Sequence, residues 1–263
     1  GGDIYAFDNV PAGVFNGKKK GIFNTNSANS VRAAIVNTSI HQNGYRVSPL
    51  IRFKNIEREM VFKSINKILP SLRQTGEQPW KKIPLRLEGF HQKIENLPKL
   101  RDYLVDEETE YVLHLGKTPR YFISASVKPL QRAGLYKIYL KNRNDLDLVY
   151  ATLNSSISYY WWRIHDGGIA LTRDILSDIP IIGFENSKEI HSIIKSIKNS
   201  ESDFIVTKSN ASKLNENLKI PTSIRHRLNN KLLRKIATDD ELIQLEAMHY
   251  NNFTSALNVW AQF

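Results

Sequence analysis

The chain has 263 residues, of which 41% are hydrophobic and 24% charged, an ordinary globular balance that excludes a wholly disordered protein. It contains no cysteine, which excludes disulfide bonds, thiolate catalysis and cysteine-ligated zinc fingers. The formal net charge of +11 favours an anionic partner, with nucleic acid first and an acidic membrane surface second.

Residues 1–70 are predicted to form strands, loops and one helix. The mostly apolar run at 31–38 has the pattern of a strand buried on both faces. The segment before it, 16–30, is rich in Gly, Asn and Lys, so we expect an exposed loop there. A helix is predicted around 58–62, and Pro70 closes it.

Pro and Gly become frequent between residues 71 and 143, where three short β-rich runs are predicted at 111–115, 120–125 and 135–141. This punctuation indicates a compact, irregular, mainly β domain. The period then changes to spacings of three and four, which predicts one amphipathic helix over 146–164. Gly167 and Gly168 should end that helix. Thr172 is placed to cap a second short helix that Pro180 stops.

The tail, 186–263, is predicted to be helical. Isoleucines at 190, 193, 194 and 197 line one face of its first helix. Ser223 is expected to cap a basic helix over 224–236, and Thr238 and Glu241 have the spacing of a capping box before a further helix. The basic residues of 224–236 spread around that helix, so a solvated face is favoured over phosphate contact.

Several chemical motifs are absent from the sequence. No Gly-x-Gly-x-x-Gly loop or P-loop is present, so neither a nucleotide nor an S-adenosylmethionine cradle is visible. The seven histidines are scattered without metal-ligand spacing. We therefore predict no catalytic, cofactor or metal site in this chain.

Two features could contact DNA. Lys18, Lys19 and Lys20 stand between two glycines, where three ammonium groups could contact phosphates or form only a mobile, solvated loop. The run 159–162 is Tyr-Tyr-Trp-Trp: its middle two residues fall on the apolar stripe, and for the outer two, packing is favoured over base stacking. The planar fork of Arg163 could read a guanine edge or hold a carboxylate such as Asp166 or Asp174.

Together, several stretches resemble the amino-methyltransferases of bacterial restriction–modification systems. Residues 7–15, 21–23 and 31–36 resemble the end of that family's catalytic sheet, where an Arg-Pro-x-x-Leu-Phe loop leads into a strand. Pro11 matches this loop, and Val10 stands where the family often has Arg. Residues 56–62 resemble its Glu-Arg-x-x-Leu-Phe stretch, and 118–123 resemble the Pro-Arg-Tyr element of the recognition domain.

The most specific match comes last in the chain. The family has a Leu-Asn-Ser-Ser helix, an aromatic run, a Leu-Thr turn and a final Pro-Ile, which correspond here to 153–156, 160–163, 171–172 and 180–181. The resemblance covers about residues 5–185. It implies that the family's Gly-rich S-adenosylmethionine loop and Asn/Asp-Pro-Pro-Tyr/Phe motif lie N-terminal to this region. It also implies that Phe23, or alternatively Phe15, packs against a flipped adenine; a plain core role is the other reading.

These expectations define one hypothesis. The fold is α+β, with terminal strands of a methyltransferase-type sheet (1–70), an irregular, mainly β target-recognition domain (71–185) and a helical C-terminal tail (186–263). The predicted function is DNA sequence recognition within an adenine-N6 DNA methyltransferase of a restriction–modification or phage-defence system, with methyl transfer outside this chain. The residues expected to contact DNA are Phe15, Lys18, Lys19, Lys20, Phe23, Arg86, Arg120, Arg163, Thr172 and Arg173.

The expected partners are double-stranded DNA and an N-terminal catalytic portion or subunit that binds S-adenosylmethionine. The chain opens without Met, so we expect it to begin part-way through a longer protein. No apolar run approaches about 18 residues, so we expect no membrane span and a cytoplasmic location. The alternatives are a stand-alone DNA-binding specificity subunit and a basic RNA-binding or structural protein.

Overall fold

The fold is known from a computed structural model, which describes residues 1–10, 31–53, 57–77, 79–119, 122–165, 170–184, 187–210 and 213–250. The mixture of helices and small sheets confirms an α+β chain. Backbone contacts divide it into two units, the first built mainly from residues 1–91 and the second mainly from 92–162 and 170–249. Within the described ranges, no helix has both the length and the apolar character that a membrane crossing needs.

The first unit contains a small sheet around its longest strand, β1 (Gly2–Val10). Strand β2 (Val31–Thr38) pairs with β1 in antiparallel fashion. Strands β3 (Tyr45–Val47) and β4 (Ile51–Arg52) pair with β1 in parallel. Helix α1 (Arg58–Ser64) and a 3-10 helix (Ile65–Ile68) follow, which confirms the helix predicted before Pro70. The core is formed by Phe7, Ile51, Phe53, Val61 and Ile68.

The prediction that β2 is buried on both faces is wrong. Residues 34–38 are all exposed, and the successive side chains of Ile35 and Val36, on opposite faces, are 44% and 53% exposed. In the described part of the chain β2 pairs with β1 alone, so it is an edge strand. A short apolar run predicts a strand, but not whether another strand covers its outer side.

The second unit contains an antiparallel sheet in the order β6-β5-β7, formed by β5 (Val112–Gly116), β6 (Ala125–Ser126) and β7 (Leu135–Tyr139). The predicted runs at 111–115 and 135–141 are confirmed. Of the third run, 120–125, the structure describes 122–125, and among these residues only Ala125 is in a strand. Arg120 and Tyr121 lie outside the described residues.

The predicted single helix over 146–164 is two helices, α3 (Arg143–Asn154) and α4 (Ser156–His165). They are separated at Ser155, whose backbone is extended. Its hydroxyl donates to Thr152 O at 2.8 Å and accepts from Ile157 N at 3.3 Å, so it both ends α3 and caps α4. Serine side chains compete in this way with the hydrogen bonds of the helical backbone. The spacing of hydrophobic residues in the sequence does not reveal this competition, so the break was not predicted. A further helix, α2 (Glu88–Glu95), precedes them in the chain.

The second half of the chain confirms three predictions. Thr172 caps α5 (Arg173–Ser177), and the predicted isoleucine face is buried in α6 (Lys188–Asn199). The capping box is present before α9 (Asp239–Tyr250), with Thr238 N donating to Glu241 Oε2 at 2.7 Å. The described chain also has a short α-helix, α7 (Glu201–Phe204), and 3-10 helices at Leu85–Leu87 and Leu100–Tyr103.

The prediction of a wholly helical tail is wrong. After α7 the chain forms a hairpin of β8 (Ile205–Asn210) and β9 (Lys213–Leu218). Its strands are mostly polar, so they lack the apolar alternation by which a half-buried strand is predicted. Helix α8 (Thr222–Leu232) begins after Pro221 and ends earlier than predicted, and Ser223 lies inside it rather than capping it.

Residues in and beside the matched motifs at 153–156, 160–163 and 180–181 have structural contacts in this unit. Asn154 accepts from Ala125 N and donates to Ala125 O, both at 3.0 Å, so its amide joins α3 to β6. Thr152 Oγ1 accepts from Ile182 N at 3.2 Å. Tyr159 and Trp162 are fully buried, which confirms packing rather than base stacking.

Candidate nucleic-acid interface

Arg132, in the loop before β7, is a half-buried cation held by neutral groups. Its Nη1 donates to Asn217 Oδ1 at 2.5 Å, and its Nη2 donates to Thr118 Oγ1 at 3.0 Å. Among the described residues no carboxylate pairs with it; Glu216 bonds instead to Gln131 N. Burial lowers the pKa of the guanidinium, since desolvation disfavours its charge and no nearby acid offsets this.

Gly116 makes room for the guanidinium. A Cβ atom at this position would lie 2.4 Å from Arg132 Nη1, so only glycine allows the group to lie against the end of β5. The surrounding pocket is shallow and partly apolar, with walls that include Leu115, Pro119, Phe122, Leu130 and Leu218. The charge is therefore held in place by packing as well as by hydrogen bonds.

The hydrogen-bonding capacity of Arg132 is only partly used. A guanidinium has five N–H donors, and two of them have the neutral acceptors Asn217 and Thr118. The Nε atom is buried and has no hydrogen-bond partner within the described residues. Leaving buried charged donors unsatisfied costs stability, and such groups concentrate at functional sites. The one further N–H on each of Nη1 and Nη2 suits the oxygens of a phosphate or a carboxylate.

Two more cations, Lys117 and Arg173, belong to chain segments that meet at the end of β5. Lys117 follows Gly116 and places its Nζ 4.9 Å from the centroid of the Tyr136 ring. Leu171 N donates to Lys117 O at 2.8 Å, which brings the start of α5 beside this strand end. We name Lys117, Thr118, Arg132, Thr172 and Arg173 the Arg132 edge.

The Arg132 edge has the chemistry of an anion-binding surface. Arg173 and Lys117 are exposed, and within the described chain neither has a carboxylate partner. Asp174, the acid next to Arg173, lies in the first turn of α5, where a carboxylate interacts favourably with the helix N-terminus.

Comparisons with protein-family models, with curated proteins and with solved structures returned no match.

The structure brings together two of the ten predicted DNA-contacting residues. Thr172 and Arg173 are both exposed at the Arg132 edge, although the Thr172 hydroxyl also caps α5 by accepting from Ile175 N at 3.4 Å. Arg86 is exposed and Arg163 is half-buried, and both belong to the first unit. The other six lie outside the described residues: Phe15, Lys18, Lys19, Lys20, Phe23 and Arg120.

Sequence reasoning missed Arg132 and Lys117. Arg132 stands in an unremarkable loop, and its partner Asn217 is 85 residues away in a hairpin that was not predicted. The available signal was weak: Gly116 and Lys117 directly precede the Pro-Arg-Tyr element, and Gly134 marks a turn. Gly134 has a φ of 71°, a left-handed conformation that favours glycine.

A second polar cluster is structural. Ser156 Oγ lies 2.9 Å from His249 Nδ1, and Asn229 Nδ2 donates to Ser156 Oγ at 2.8 Å. The cluster has the residue types of a hydrolytic site, but all three side chains are buried, so no substrate can reach the hydroxyl. In the described ranges no group of His, Asp and Glu has a metal-binding arrangement.

Some of the basic side chains in and just after helix α8 pair with carboxylates. Lys231 pairs with Glu189 at 2.7 Å, and His226 Nδ1 lies 2.8 Å from Glu246. Arg234, just beyond the helix, lies 3.7 Å from Asp239. These pairs agree with the solvated face expected from the sequence.

Proposed function

We propose that this chain is the DNA-recognition portion of an adenine-N6 DNA methyltransferase of a restriction–modification or phage-defence system, with methyl transfer outside the chain. The observation that supports DNA binding is the Arg132 guanidinium, which is half-buried, held in place and, among the described residues, bonded only to neutral oxygens. A phosphate there would supply the missing opposite charge. Lys117 and Arg173 would add contacts along the same backbone.

Such an anchor has a clear use in base methylation. An enzyme that modifies a base inside a duplex must flip it out of the stack, which costs a few kcal/mol. Contacts to the sugar–phosphate backbone offset this cost and fix the register of the protein on the duplex. A rigid guanidinium does this better than a mobile lysine, because less conformational freedom is lost on binding.

Burial of the aromatic side chains favours duplex DNA over single-stranded nucleic acid. Proteins that bind single strands stack bases on exposed aromatic rings. Here Tyr159 and Trp162 are inside the core, and the exposed large apolar residues of the described chain include one aromatic, Phe62. The RNA-binding alternative therefore has less support.

The methyltransferase part of the proposal rests on the sequence motifs and on two features that accord with them. Thr118 and Thr172, each from a different matched motif, contribute to the Arg132 edge. Among the described residues of the first unit, β2 is an edge strand with exposed apolar side chains, which leaves its outer side available to a further strand. Strand addition of this kind is a common way to join chains or domains, and we assign this edge to the catalytic portion.

Binding of a labelled duplex tests the DNA-recognition proposal. The Arg132→Gln variant should weaken duplex affinity about tenfold, the value of one charge-assisted hydrogen-bonded contact. It should also reduce the slope of log affinity against log salt by about 0.9, because one phosphate contact is lost. The matched control is Arg101→Gln, which removes the same charge from a residue already bonded to Asp178.

A second variant separates the position of the guanidinium from its charge. Gly116→Ala keeps the arginine but places a methyl group where its Nη1 lies, so the flexible side chain must move. We expect nearly unchanged stability and a loss of duplex affinity similar to that of Arg132→Gln. Equal binding by wild type, both variants and the control would overturn the proposed role of the Arg132 edge.

Expression with the neighbouring coding sequences distinguishes a methyltransferase portion from a stand-alone DNA-binding subunit. If the proposal is right, a catalytic partner is encoded beside or upstream of this chain, and plasmid DNA from such cells should carry N6-methyladenine at one recurring sequence. Arg132→Gln should reduce that methylation, and Arg101→Gln should not. Binding of duplex DNA without adenine methylation in any such combination would favour the stand-alone subunit.

A further inference from the structure

The β8–β9 hairpin has two chemically different faces. Its strands pair from Ile205 opposite Leu218 to Asn210 opposite Lys213, and residues directly opposite each other share a face. One face, here named the amide face, therefore has two pairs, Val206 with Asn217 and Lys208 with Asn215. The other face has Ile205, Thr207, Leu214, Glu216 and Leu218. The single acid of these nine side chains is on the second face.

The outer part of the hairpin projects from the unit. At its base, Leu218 is buried. Further out, Thr207 and Lys208 are exposed, as are Val206 (39%) and Leu214 (60%). Adjacent residues on a strand point to opposite faces, so this part of the ribbon is open to solvent on both sides. A polar two-stranded ribbon exposed in this way makes little contribution to the core.

The base of the hairpin is fixed to the loop that carries Arg132. Glu216 N donates to Gln131 O at 2.9 Å, and Gln131 N donates to Glu216 Oε2 at 2.7 Å. On the amide face, Asn217 accepts from Arg132. An anion bound by Arg132 would therefore lie at the base of the amide face, with Asn215 and Lys208 further along the same face.

We propose that the β8–β9 hairpin enters the major groove of duplex DNA, where Asn215 and Lys208 contact base edges while Arg132 holds a backbone phosphate. This inference rests on the proposed DNA recognition and assigns its sequence reading to a segment outside the matched motifs. The major groove, about 12 Å wide, admits a two-stranded β-ribbon. Asn pairs with the N6 and N7 atoms of adenine, and Lys with O6 and N7 of guanine. The amide face supplies both residue types without a carboxylate to repel the DNA.

Selection from a randomised duplex library tests this assignment with the whole chain. Wild type should enrich one sequence. Asn215→Ala and Lys208→Ala should each lose preference at one or two base pairs of that sequence, by roughly 5- to 100-fold. Their affinity for random duplex should stay within about threefold, because phosphate contacts remain. The control is Thr207→Ala, on the opposite face of the same hairpin, which should enrich the wild-type sequence with undiminished preference.

Chemical protection supplies a second readout on the enriched duplex. Dimethyl sulfate modifies guanine N7, which faces the major groove, so a bound hairpin should protect guanines within the enriched site. Replacing those guanines by 7-deazaguanine removes the same acceptor and should weaken wild type more than Lys208→Ala. Circular dichroism establishes that each variant is folded before comparison.

The outcomes separate the hairpin assignment from the proposed function. If both amide-face variants keep the wild-type preference, or Thr207→Ala loses as much as they do, the assignment is overturned and DNA binding stands. Duplex binding by wild type without any enriched sequence also overturns it. Failure of wild type to bind duplex DNA at low salt overturns the proposed function itself, and the assignment with it.

Discussion

Glu201 and Arg132 are polar residues removed from solvent to different extents, and we assign the first to fold stability and the second to binding. Glu201 is fully buried, and its carboxylate accepts from Tyr150 OH at 2.7 Å, Ser126 Oγ at 2.8 Å and Val127 N at 3.1 Å. Ser126 Oγ also donates to Lys128 O, but Tyr150 OH and Val127 N would lose their partner without the carboxylate, so Glu201 is structural. Arg132 has spare donors and, within the part of the chain that the structure describes, no carboxylate partner, so its burial costs stability and we assign it to binding.

Replacement of Glu201 tests the structural role. Glu201→Ala leaves Tyr150 OH and Val127 N without their acceptor and should lower the free energy of unfolding by about 2–6 kcal/mol, at about 1–3 kcal/mol for each group. The control, Glu189→Ala, breaks an exposed pair with Lys231 and should cost less than about 1 kcal/mol. Urea denaturation followed by circular dichroism measures both. A small, equal effect would mean that the carboxylate site reorganises around water.

Acid sensitivity should come in part from His249. Burial, and secondarily Arg225, hold the pKa of this imidazole well below its usual range, so the folded chain keeps it neutral. An unfolded chain binds its proton below pH about 6.5. The stabilisation from neutral His249 is therefore complete above pH about 6.5 and is lost as the pH falls, by up to about 1.4 kcal/mol per pH unit.

This expectation is tested by measuring the free energy of unfolding of wild type and of His249→Gln from denaturation curves at pH 7.5 and at pH 5.5. His249→Gln should lower stability at both values but reduce the difference between them. His114, whose pKa burial also lowers, should supply part of the remaining dependence. His41→Gln, at an exposed position, should leave the difference unchanged. An unaltered difference in His249→Gln would show that protonation of this residue is not coupled to unfolding.

At the scale of elements, the sequence predicts what is periodic and misses what depends on distant partners. The helices at 58–64, 173–177 and 188–199 and the strands β5 and β7 follow from spacing, caps and apolar runs. The break at Ser155 depends on one hydroxyl, and the polar β8–β9 hairpin has no strong period. Lys117 and Arg132 were missed for the same reason, since Lys117 O accepts from Leu171 N and Arg132 lies against Gly116 only in the tertiary fold.

The hydrogen bonds of Asn154 that join α3 to β6 should contribute strongly to the free energy of unfolding. Asn154→Ala removes both bonds to the backbone of Ala125 and leaves a buried N–H and C=O group without partners. We expect a loss of about 2–4 kcal/mol in the free energy of unfolding, from two unsatisfied groups. The comparison is Asn142→Ala at the exposed cap of α3, which should cost about 1 kcal/mol. Similar losses would show that water replaces the buried bonds.

At the scale of the whole molecule, we expect this chain to bind duplex DNA but not the methyl donor S-adenosylmethionine. No Gly-rich donor loop is present in the sequence, so titration calorimetry with S-adenosylmethionine should show no saturable heat for this chain alone. Micromolar binding would contradict the division of labour proposed above. The same titration in the presence of duplex DNA controls for a donor site that forms only on the complex.

The outer edge of β2 leads to a second expectation for the whole molecule. Val36→Lys places a charge on an exposed edge strand, which discourages further strand pairing. It should weaken assembly with the catalytic portion while leaving duplex affinity of this chain unchanged. Thr38→Lys, at the end of the same strand, is the comparison variant. Co-purification of the catalytic portion at wild-type levels with Val36→Lys would place their junction elsewhere.

The contact between Gly116 and Arg132 makes the effect of one mutation depend on another. When Arg132 is present, the methyl group of Gly116→Ala displaces the guanidinium. When Arg132 is shortened to alanine, that space is free, and Gly116→Ala should have no further effect on duplex affinity. The two positions therefore show epistasis in duplex affinity, with the double variant no worse than Arg132→Ala alone. Among descendants of this sequence, glycine at 116 should persist only as long as an arginine stands at 132.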